Sequence, residues 1–314
     1  MDVNSWPLNS IPTTGKTIFT IIFGTSALVA ALANTFCLIV LWQPSQRSTP
    51  NTILKSLAVS DCLVGYICLP LLIWRINVSP NLQDTQMTSW VNFIFGIMII
   101  WILTCSTFSI VFVAFERYIH ITKPQRYHDI LLKRRVNFII ALFWVVDLPL
   151  CVGSVIEIRV YYITSPPYLI ITTVILCACY YYIWKTVRES QRRIASHSHN
   201  VRQDRRRQNR LTKKVLMLVL VYLIIFVFSV VYTVCRFLIS KQVILVSQEL
   251  KIYALLVTYF VVTSNSCLNP MIYIWKDPEF KAACKRLLIR MKCKTKAPVT
   301  ASKDNNIGKA TSSV

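Results

Sequence analysis

Charged residues and glycine are both scarce in this chain. Aspartate, glutamate, lysine and arginine together make up 15% of its 314 residues, whereas a soluble domain carries roughly a quarter. The chain has only 6 glycines, which argues against a fibrous or low-complexity protein. The few histidines are His120, His128, His197 and His199. They form no recognisable metal-ligand set, so the sequence predicts no catalytic residue and no enzyme.

In place of charge the chain carries long apolar blocks, and 54% of its residues are hydrophobic. An apolar block of about 18 or more residues is typical of a helix that crosses the roughly 30 Å hydrocarbon core of a membrane. Seven such blocks run over Thr17–Trp42, Thr52–Trp74, Thr88–Tyr118, Val136–Ile156, Tyr162–Val187, Val215–Ile239 and Ile252–Trp275. The sequence therefore predicts an all-α fold, a seven-transmembrane helix bundle. It has no internal repeat of the kind found in many transporters.

The basic residues predict the orientation of the bundle, because cytoplasmic loops carry an excess of lysine and arginine. With the N-terminus outside the cell, the outer segments hold few of the 35 basic residues, namely Lys16, Arg75, Arg159, Arg236, Lys241 and Lys251. We therefore expect a multi-pass protein of the plasma membrane. The net charge of +22 reflects this sorting and the anionic lipid of the inner leaflet. No nucleic-acid partner is expected, despite the basic run RQDRRRQNR.

Four segments follow from this topology. We predict an extracellular N-terminal segment over residues 1–16, a membrane domain over 17–275, an amphipathic eighth helix over 276–292, and a disordered cytoplasmic tail over 293–314. The eighth helix is predicted from the run KDPEFKAACKRLL. Its Phe280 and Leu287 fall on one helical face and its Lys281 and Lys285 on the other, as in helices that lie on a membrane.

Polar side chains inside the apolar blocks are functional candidates, since each costs free energy in a bilayer. They are Asn34 in the first block, Asp61 in the second, Ser106 in the third, Trp144 in the fourth, and the run NSCLNPMIY in the seventh. Asp147 interrupts the fourth block. The third block ends in Glu116-Arg117-Tyr118, where hydrocarbon should give way to water. An adjacent acid and base are tolerated there because their charges neutralise each other.

The order and spacing of these motifs resemble those of rhodopsin-like (class A) G-protein-coupled receptors, and the resemblance covers the whole chain. It implies a receptor that binds an extracellular ligand and activates a heterotrimeric G protein as the cytoplasmic end of the sixth helix moves outward. Arrestin, receptor kinases and membrane lipid are the further partners it implies. The switch residues carried over are Glu116, Arg117, Tyr118, Tyr180, Asn269, Pro270 and Tyr273. A receptor-like scaffold or scavenger without G-protein coupling is the alternative.

The same resemblance implies an internal sodium pocket. Its residues carry over to Asp61, Ser106, Asn265, Ser266 and Asn269, and all five side chains bear oxygen, which suits a hard cation. A sodium ion is then expected as an allosteric modulator that stabilises the inactive state, with no other cofactor. A neutral, hydrogen-bonded structural aspartate at Asp61 is the alternative interpretation.

The sequence departs from the family pattern at its outer end. Asn92 takes the place of a cysteine that the family usually joins to its second outer loop, and that loop is predicted to be short, over residues 157–162, without cysteine. The usual bridge is therefore not expected. The fifth helix lacks its usual proline, with Thr172 near that place. These features occur together in the melanocortin-like branch, and in part in the cannabinoid and lysophospholipid branches.

The sixth helix departs as well. Phe226 and Phe228 align with the family's tryptophan and proline, and Tyr222 takes the place of a phenylalanine one turn earlier. Without that proline the helix should be straighter. Gln208 aligns with an acid that in many relatives holds the switch arginine, so we expect higher activity without agonist.

Ligand class is indicated mainly by exclusion. Ile99 aligns with the aspartate of amine receptors and Thr263 with the retinal-linked lysine of opsins, so neither ligand is expected. Residues predicted to line the pocket are Phe95, Ile99, Ile100, Thr104, Phe226, Ser229 and Tyr259. Most are apolar, which favours a lipid-like ligand, although plain helix packing explains them equally well. A cationic peptide is the other option, through the outer acids Asp84, Glu157 and Glu249.

Three residues are candidates for covalent modification. Asn77 in the sequon NVS lies on the predicted outer side, which is the correct side for glycosylation. Cys284 and Cys293 lie in or beside the predicted eighth helix, where palmitate would anchor it to the membrane.

Overall fold

A computed structural model describes residues 11–44, 48–78, 86–193, 220–239, 241–243, 245–276 and 278–295. Eight long helices occupy these ranges: α1 (Thr13–Leu41), α2 (Thr49–Asn77), α3 (Gln86–Thr122), α4 (Lys133–Ile156), α5 (Ile158–Arg193), α6 (Leu220–Ile239), α7 (Gln248–Lys276) and α8 (Pro278–Thr295). The first seven are long and apolar enough to cross a membrane. The predicted all-α fold, a seven-helix bundle with a short eighth helix, is confirmed.

Helix α3 runs through the middle of the bundle and packs against α2, α4 and α5. Its first half carries Phe95 and Ile102, which belong to one buried apolar cluster, and its second half carries Ile110 and Ala114, which belong to another. Arg75 in α2 lies beside the start of α3, and Glu116 lies near its end. We call these two ends of the bundle the Arg75 end and the Glu116 end.

The outer surface of the bundle is apolar. Leu32, Val145, Val174 and Ile224 expose more than half of their surface, each on a different helix. A soluble protein would not leave such residues uncovered in every helix, whereas lipid tails solvate them as well as another helix would. The burial pattern therefore agrees with a bundle whose exterior faces lipid.

Helix α2 changes its winding in the middle. Residues Val64–Cys68 form a turn of π-helix before the α-helix resumes at Leu69. Pro70 follows directly, and proline supplies no backbone donor to the preceding turn, so wider winding accommodates it. Gly65, inside this turn, lies against the backbone of α1 at Ala31.

The connection between α4 and α5 is shorter than predicted. Helix α4 ends at Ile156 and α5 begins at Ile158, so the predicted loop over residues 157–162 shrinks to Glu157 alone. Helix α5 begins earlier than expected because contacts with other helices stabilise its first turns. The ring of Tyr162 packs edge-on at 6.0 Å from the ring of Phe237 in α6.

Helix α8 docks on the Glu116 end of the bundle. Phe280 and Ala283 are buried in the same apolar cluster as Leu41 of α1, while Lys281 and Lys285 are exposed. Its amphipathic pattern agrees with the prediction, and its observed bounds lie within three residues of the predicted 276–292.

Candidate functional site

The Glu116 end contains an ion pair whose carboxylate is buried. Arg117 Nε lies 3.1 Å from Glu116 Oε2, and the Glu116 side chain is 1% exposed. The other carboxylate oxygen of Glu116 accepts a 2.8 Å hydrogen bond from the hydroxyl of Tyr127. Tyr127 begins a one-turn helix, Tyr127–Ile130, between α3 and α4. Burial and the nearby Glu116 carboxylate raise the pKa of Tyr127, so the phenol keeps its proton and donates.

The remaining predicted switch residues lie on three helices. The ring of Tyr118 lies 5.9 Å from that of Tyr182 in α5, and Tyr180 is half-buried on the same helix. Asn269 and Pro270 are buried in α7. Tyr273 also lies in α7, but its side chain is outside the described residues, so the predicted pairing of Tyr180 with Tyr273 stays a prediction.

A second polar cluster lies near the middle of the bundle, around the fully buried Asp61. Asp61 Oδ1 accepts hydrogen bonds from Ser266 Oγ at 2.8 Å and Ser106 Oγ at 3.2 Å. Asp61 Oδ2 accepts one from Asn269 Nδ2 at 2.8 Å. Three helices thus converge on one carboxylate, and the cluster contains four of the five residues predicted to bind sodium. The fifth, Asn265, is half-buried and forms no described hydrogen bond with Asp61.

The cluster has unused oxygen atoms. Asn34 donates to the backbone carbonyl of Ser266 at 2.9 Å, which ties α1 to α7. The side-chain oxygens of Asn34 and Asn269 are buried, and neither accepts a hydrogen bond from any described group. Buried acceptors are normally satisfied. A carboxylate beside an unsatisfied amide oxygen and two hydroxyls is a donor set that fits a hard cation such as sodium.

A cavity of about 330 Å³ lies among the six helices α2 to α7 in the half of the bundle that contains Arg75. All seven residues predicted to line the ligand pocket, Phe95, Ile99, Ile100, Thr104, Phe226, Ser229 and Tyr259, line this one cavity. Sequence reasoning missed most of its polar lining, which includes Arg75, Asp147, Tyr161, Tyr168, Tyr232 and Arg236. The signal in the sequence for this polar region is the charge of Arg75 within an apolar block, which alone predicts only the orientation of the helix.

Arg75 is held in this cavity by neutral groups. Its side chain is 7% exposed, and its Nε donates a 2.6 Å hydrogen bond to Asn92 Oδ1. The guanidinium lies 4.6 Å from the ring centre of Phe95 and contacts the hydroxyl of Tyr259. Asn92, which replaces a cysteine of the family pattern, therefore serves here as the hydrogen-bond acceptor that positions an arginine.

Asp147 lies deeper in the same cavity. Thr104 donates a short hydrogen bond to Asp147 Oδ2, and the Cys151 thiol lies 3.5 Å from the same oxygen. The hydroxyl of Tyr168 donates to the backbone carbonyl of Thr104 at 2.8 Å. The intramembrane acid that interrupts the fourth apolar block is thus anchored to α3 and to its own helix.

Two of the departures from the family pattern meet in the bundle. The hydroxyls of Thr172 in α5 and Tyr222 in α6 lie 2.7 Å apart in a buried contact. Thr172 Oγ1 already donates to the carbonyl of Tyr168 at 2.8 Å, so Tyr222 is the donor between the helices. The ring of Tyr222 stacks against that of Phe226 with 6.5 Å between centres. A polar bond thus joins α5 to α6 where the family has apolar residues.

The candidate modification sites lie at opposite ends of the bundle. Asn77 is exposed at the end of α2, where its Nδ2 donates to Thr20 Oγ1 at 2.8 Å and to the carbonyl of Ile73 at 2.9 Å. Cys284 is half-buried on α8, and burial raises the pKa of its thiol. Cys293 lies in α8 with its side chain outside the described residues. Gln208 and Asp84 also lie outside them.

Comparisons with known proteins agree with this architecture. The family described as "7 transmembrane receptor (rhodopsin family)" matches residues 33–162 and 157–273. The chain is 31% identical to the QRFP-like peptide receptor of Branchiostoma floridae over 42% of this chain and 34% of that receptor. It is 23% identical to the Lysophosphatidic acid receptor 1-A of Xenopus laevis over 84% of this chain and 74% of that receptor.

A third relative is the Neuropeptide FF receptor 1 of Rattus norvegicus, 30% identical over 42% of this chain and 30% of that receptor. The matches thus span about a third of the two peptide receptors and about three quarters of the lysophosphatidic acid receptor. Because the family match covers most of the chain, the protein belongs to the rhodopsin family of seven-transmembrane receptors. It is accordingly a multi-pass membrane protein.

Proposed function

We propose that the protein is a G-protein-coupled receptor of the plasma membrane, with its N-terminus outside the cell. It binds an extracellular ligand at the Arg75 end and activates a heterotrimeric G protein at the Glu116 end, where the cytoplasmic end of α6 moves outward. The observation that carries this proposal is the ion pair between the buried Glu116 and the half-buried Arg117, 3.1 Å apart at the end of α3. The distribution of basic residues supports the orientation.

Tyr127 makes release of Arg117 physically reasonable. A buried carboxylate that loses its only partner is left uncompensated, and this is strongly unfavourable. Glu116 has a second partner, because Tyr127 donates to its other oxygen at 2.8 Å. When Arg117 turns away toward a G protein, Tyr127 still satisfies the carboxylate. The pair can therefore open at lower cost than an isolated buried ion pair.

The Asp61 cluster is proposed to hold a sodium ion in the inactive state. Asp61, Ser106, Ser266 and Asn269 would supply the oxygen ligands, and bound sodium supplies a positive charge that neutralises the buried carboxylate. These residues lie on α2, α3 and α7, so the ion would favour the arrangement that keeps the three helices together. Any ligand that favours another arrangement would then weaken sodium binding by the same factor.

The ligand is proposed to be lipid-like or a peptide and not an amine. Relatives of the chain include receptors for lysophosphatidic acid, QRFP-like peptides and neuropeptide FF, beside an octopamine receptor that matches only 33% of this chain. Ile99 lines the cavity where amine receptors carry an aspartate. The mainly apolar wall favours the lipid-like class.

The experiment that tests the coupling is agonist-free G-protein activation in cells, measured across a panel of G-protein classes. The native chain would be compared with Arg117→Ala and Asp61→Ala at matched surface expression. We expect a basal signal that Arg117→Ala removes. A signal that persists in the Arg117→Ala variant would contradict the proposed switch.

A receptor-like scaffold or scavenger without G-protein coupling is the second candidate. It is favoured by the buried bond between Thr172 and Tyr222, because this bond opposes separation of α5 and α6. Absence of signal in every G-protein class, with or without a bound ligand, would favour this candidate.

Modification and downstream partners complete the proposal. Receptor kinases would phosphorylate serine and threonine in the C-terminal tail, and the phosphorylated tail would recruit arrestin. Palmitate on Cys284 or Cys293 would hold α8 to membrane lipid. Asn77 would carry a glycan. Mass spectrometry of the protein purified from cells tests all three. Each assignment fails if its residues are recovered unmodified.

A further inference from the structure

Positive charge collects at one end of the cavity. Arg75 from α2 and Arg236 from α6 both line it, together with the phenols of Tyr161, Tyr232 and Tyr259. The hydroxyl of Tyr259 lies within electrostatic range of both guanidinium groups and of Tyr161. Two cations and three hydroxyl groups thus line this end of the cavity.

Arg75 carries the argument, because its charge is buried and not compensated by an acid. In the described part of the chain no carboxylate pairs with it, and its partners are the neutral Asn92, Phe95 and Tyr259. Charged side chains within membrane-spanning helices are costly, and they are usually paired or functional. Arginine presents a planar fork of donors that matches phosphate and carboxylate oxygens.

Asp147 does not supply the missing acid. It lines the same cavity but contacts Thr104, whereas Arg75 contacts Phe95. Thr104 follows Phe95 by nine residues in α3, which is about 13 Å at a rise of roughly 1.5 Å per residue. The acid therefore lies well below the arginine, and it is already bound to Thr104 and Cys151.

Two further polar atoms in the cavity lack partners. The hydroxyls of Tyr232 and Ser165 are buried, both residues line the cavity, and neither hydroxyl has a hydrogen-bond partner among the described groups. Tyr232 lies near Arg236 and Tyr259. Buried hydroxyls without partners are unusual in folded proteins. A ligand anion at the Arg75 end would accept from Tyr232 as well as from the guanidinium groups.

Between the two polar regions the wall is apolar. Ile99, Ile100 and Leu103 of α3 face the cavity between Phe95 and Thr104, and Leu150 and Val262 line it from α4 and α7. Such a wall suits a hydrocarbon chain and provides no partner for a second charge.

We propose that the cavity binds a single-chain anionic lipid, with its phosphate or carboxylate held by Arg75, Arg236, Tyr232 and Tyr259 and its chain along α3 toward Thr104. This inference rests on the proposed receptor function, since it assigns the ligand class to the same cavity. It also extends that function, because the proposed function leaves the ligand as lipid-like or peptide and does not state its charge.

The test uses the full chain purified in an uncharged maltoside detergent. The probes are oleoyl lysophosphatidate, oleate and the neutral oleoyl glycerol, with binding measured by radioligand displacement and by shift of the melting temperature. We expect at least one anionic probe to bind tenfold or more tightly than the neutral lipid. A preference for lysophosphatidate over oleate would identify a phosphate site, and the reverse a carboxylate site. Equal binding of all three probes, or of none, would overturn the proposal.

Variants separate the site from general effects of charge. Arg75→Gln should lose the preference for the anion by tenfold or more, and Arg75→Lys should keep part of it. Arg159→Gln is the matched control, because its side chain is 87% exposed and pairs with Glu157 outside the cavity. If Arg75→Gln does not fold, Tyr232→Phe and Arg236→Gln provide the same comparison. An unchanged preference in the folded cavity variants would contradict the assignment.

The binding assay contains no G protein, so its failure is distinct from failure of the proposed function. Anion binding without any G-protein signal would leave this inference intact and favour the scaffold. A basal signal that depends on Arg117, without anion binding, would retain the receptor function and overturn the ligand class.

Discussion

Helices α1 and α2 approach so closely at Gly65 that a single methyl group there should destabilise the bundle. A Cβ atom added to Gly65 would lie 2.5 Å from the backbone nitrogen of Ala31 and 2.9 Å from the carbonyl oxygen of Ala27. Ordinary contact begins at 3.4 Å, so α1 and α2 would have to separate by roughly 0.9 Å. Both obstructing atoms belong to the backbone, and no side-chain rotation can relieve the contact.

The size of the effect follows from comparison with a second glycine. Overpacking of a well-packed core costs about 1–3 kcal/mol, and alanine is favoured over glycine inside a helix by about 1 kcal/mol. Gly24 in α1 is the matched control, because a Cβ there meets nothing within 4 Å. The helix-propensity gain applies to Gly24 in the α-helix α1, and it does not favour Gly65, which lies in a turn of π-helix. Gly65→Ala should therefore be less stable than Gly24→Ala by about 1–3 kcal/mol.

Thermal unfolding and denaturant titration of the two purified variants in the same detergent would measure this difference. The native chain serves as the reference, with Gly24→Ala expected at or above its stability. Equal stability of the two alanine variants would refute the reasoning, because it would mean that α1 and α2 are not held in the close contact described.

Three other predictions concern the switch. Sodium chloride should raise the melting temperature of the native protein more than potassium chloride does, and Asp61→Asn should abolish the difference; a difference that survives the substitution would exclude this site. Tyr222→Phe removes the hydrogen bond to Thr172, which is worth about 0.5–1.5 kcal/mol, so agonist-free signalling should rise about 2- to 10-fold. Tyr66→Phe is the control, because it removes an exposed hydroxyl that is bonded to Thr35 at 3.1 Å, and it should leave agonist-free signalling unchanged. Gln208→Glu should lower agonist-free signalling, and equal signalling would show that the missing acid does not matter.

The seven spans could be predicted because hydrocarbon leaves few alternatives. A long apolar block in a membrane has to satisfy its own backbone, and a helix does so within one segment. The resemblance to the receptor family predicts that four side chains meet at one site, namely Asp61, Ser106, Ser266 and Asn269. The spacing of these residues within each helix does not by itself predict that the three helices come together. The spacing of residues along one helix predicts which side chains share a helical face. It does not predict which helices become neighbours.

The polar end of the cavity could not be predicted for the same reason. In the sequence, Arg75 is one of several outer basic residues, and Asn92 stands where the family usually has a cysteine. Their 2.6 Å hydrogen bond joins α2 to α3 and depends on how these helices pack. In the sequence, Asp147 only interrupts an apolar block. Its partner Thr104 lies 43 residues earlier in the chain, so the contact between them depends on how α3 and α4 pack.

Asp61, Asp147 and Arg75 differ in how fully the structure satisfies their charges, and this difference assigns them different roles. Asp61 accepts from three donors on two other helices, and Asp147 is bound to Thr104 and Cys151. Both acids hold helices together. Among the described residues Arg75 has only neutral partners, which agrees with its proposed role in binding an external anion.

That external anion would act near the bond between α5 and α6. Tyr222 lines the same cavity as Arg75, and its hydroxyl donates to Thr172 across the helix interface. A ligand changes the balance between two arrangements only if it binds one of them more tightly. A lipid chain that reaches Tyr222 and displaces its ring would favour the arrangement without the bond, with α6 freer to move away from α5. Ligand binding at the Arg75 end and loss of the Tyr222 bond should then have the same effect on signalling, and an agonist should gain less in Tyr222→Phe than in the native receptor.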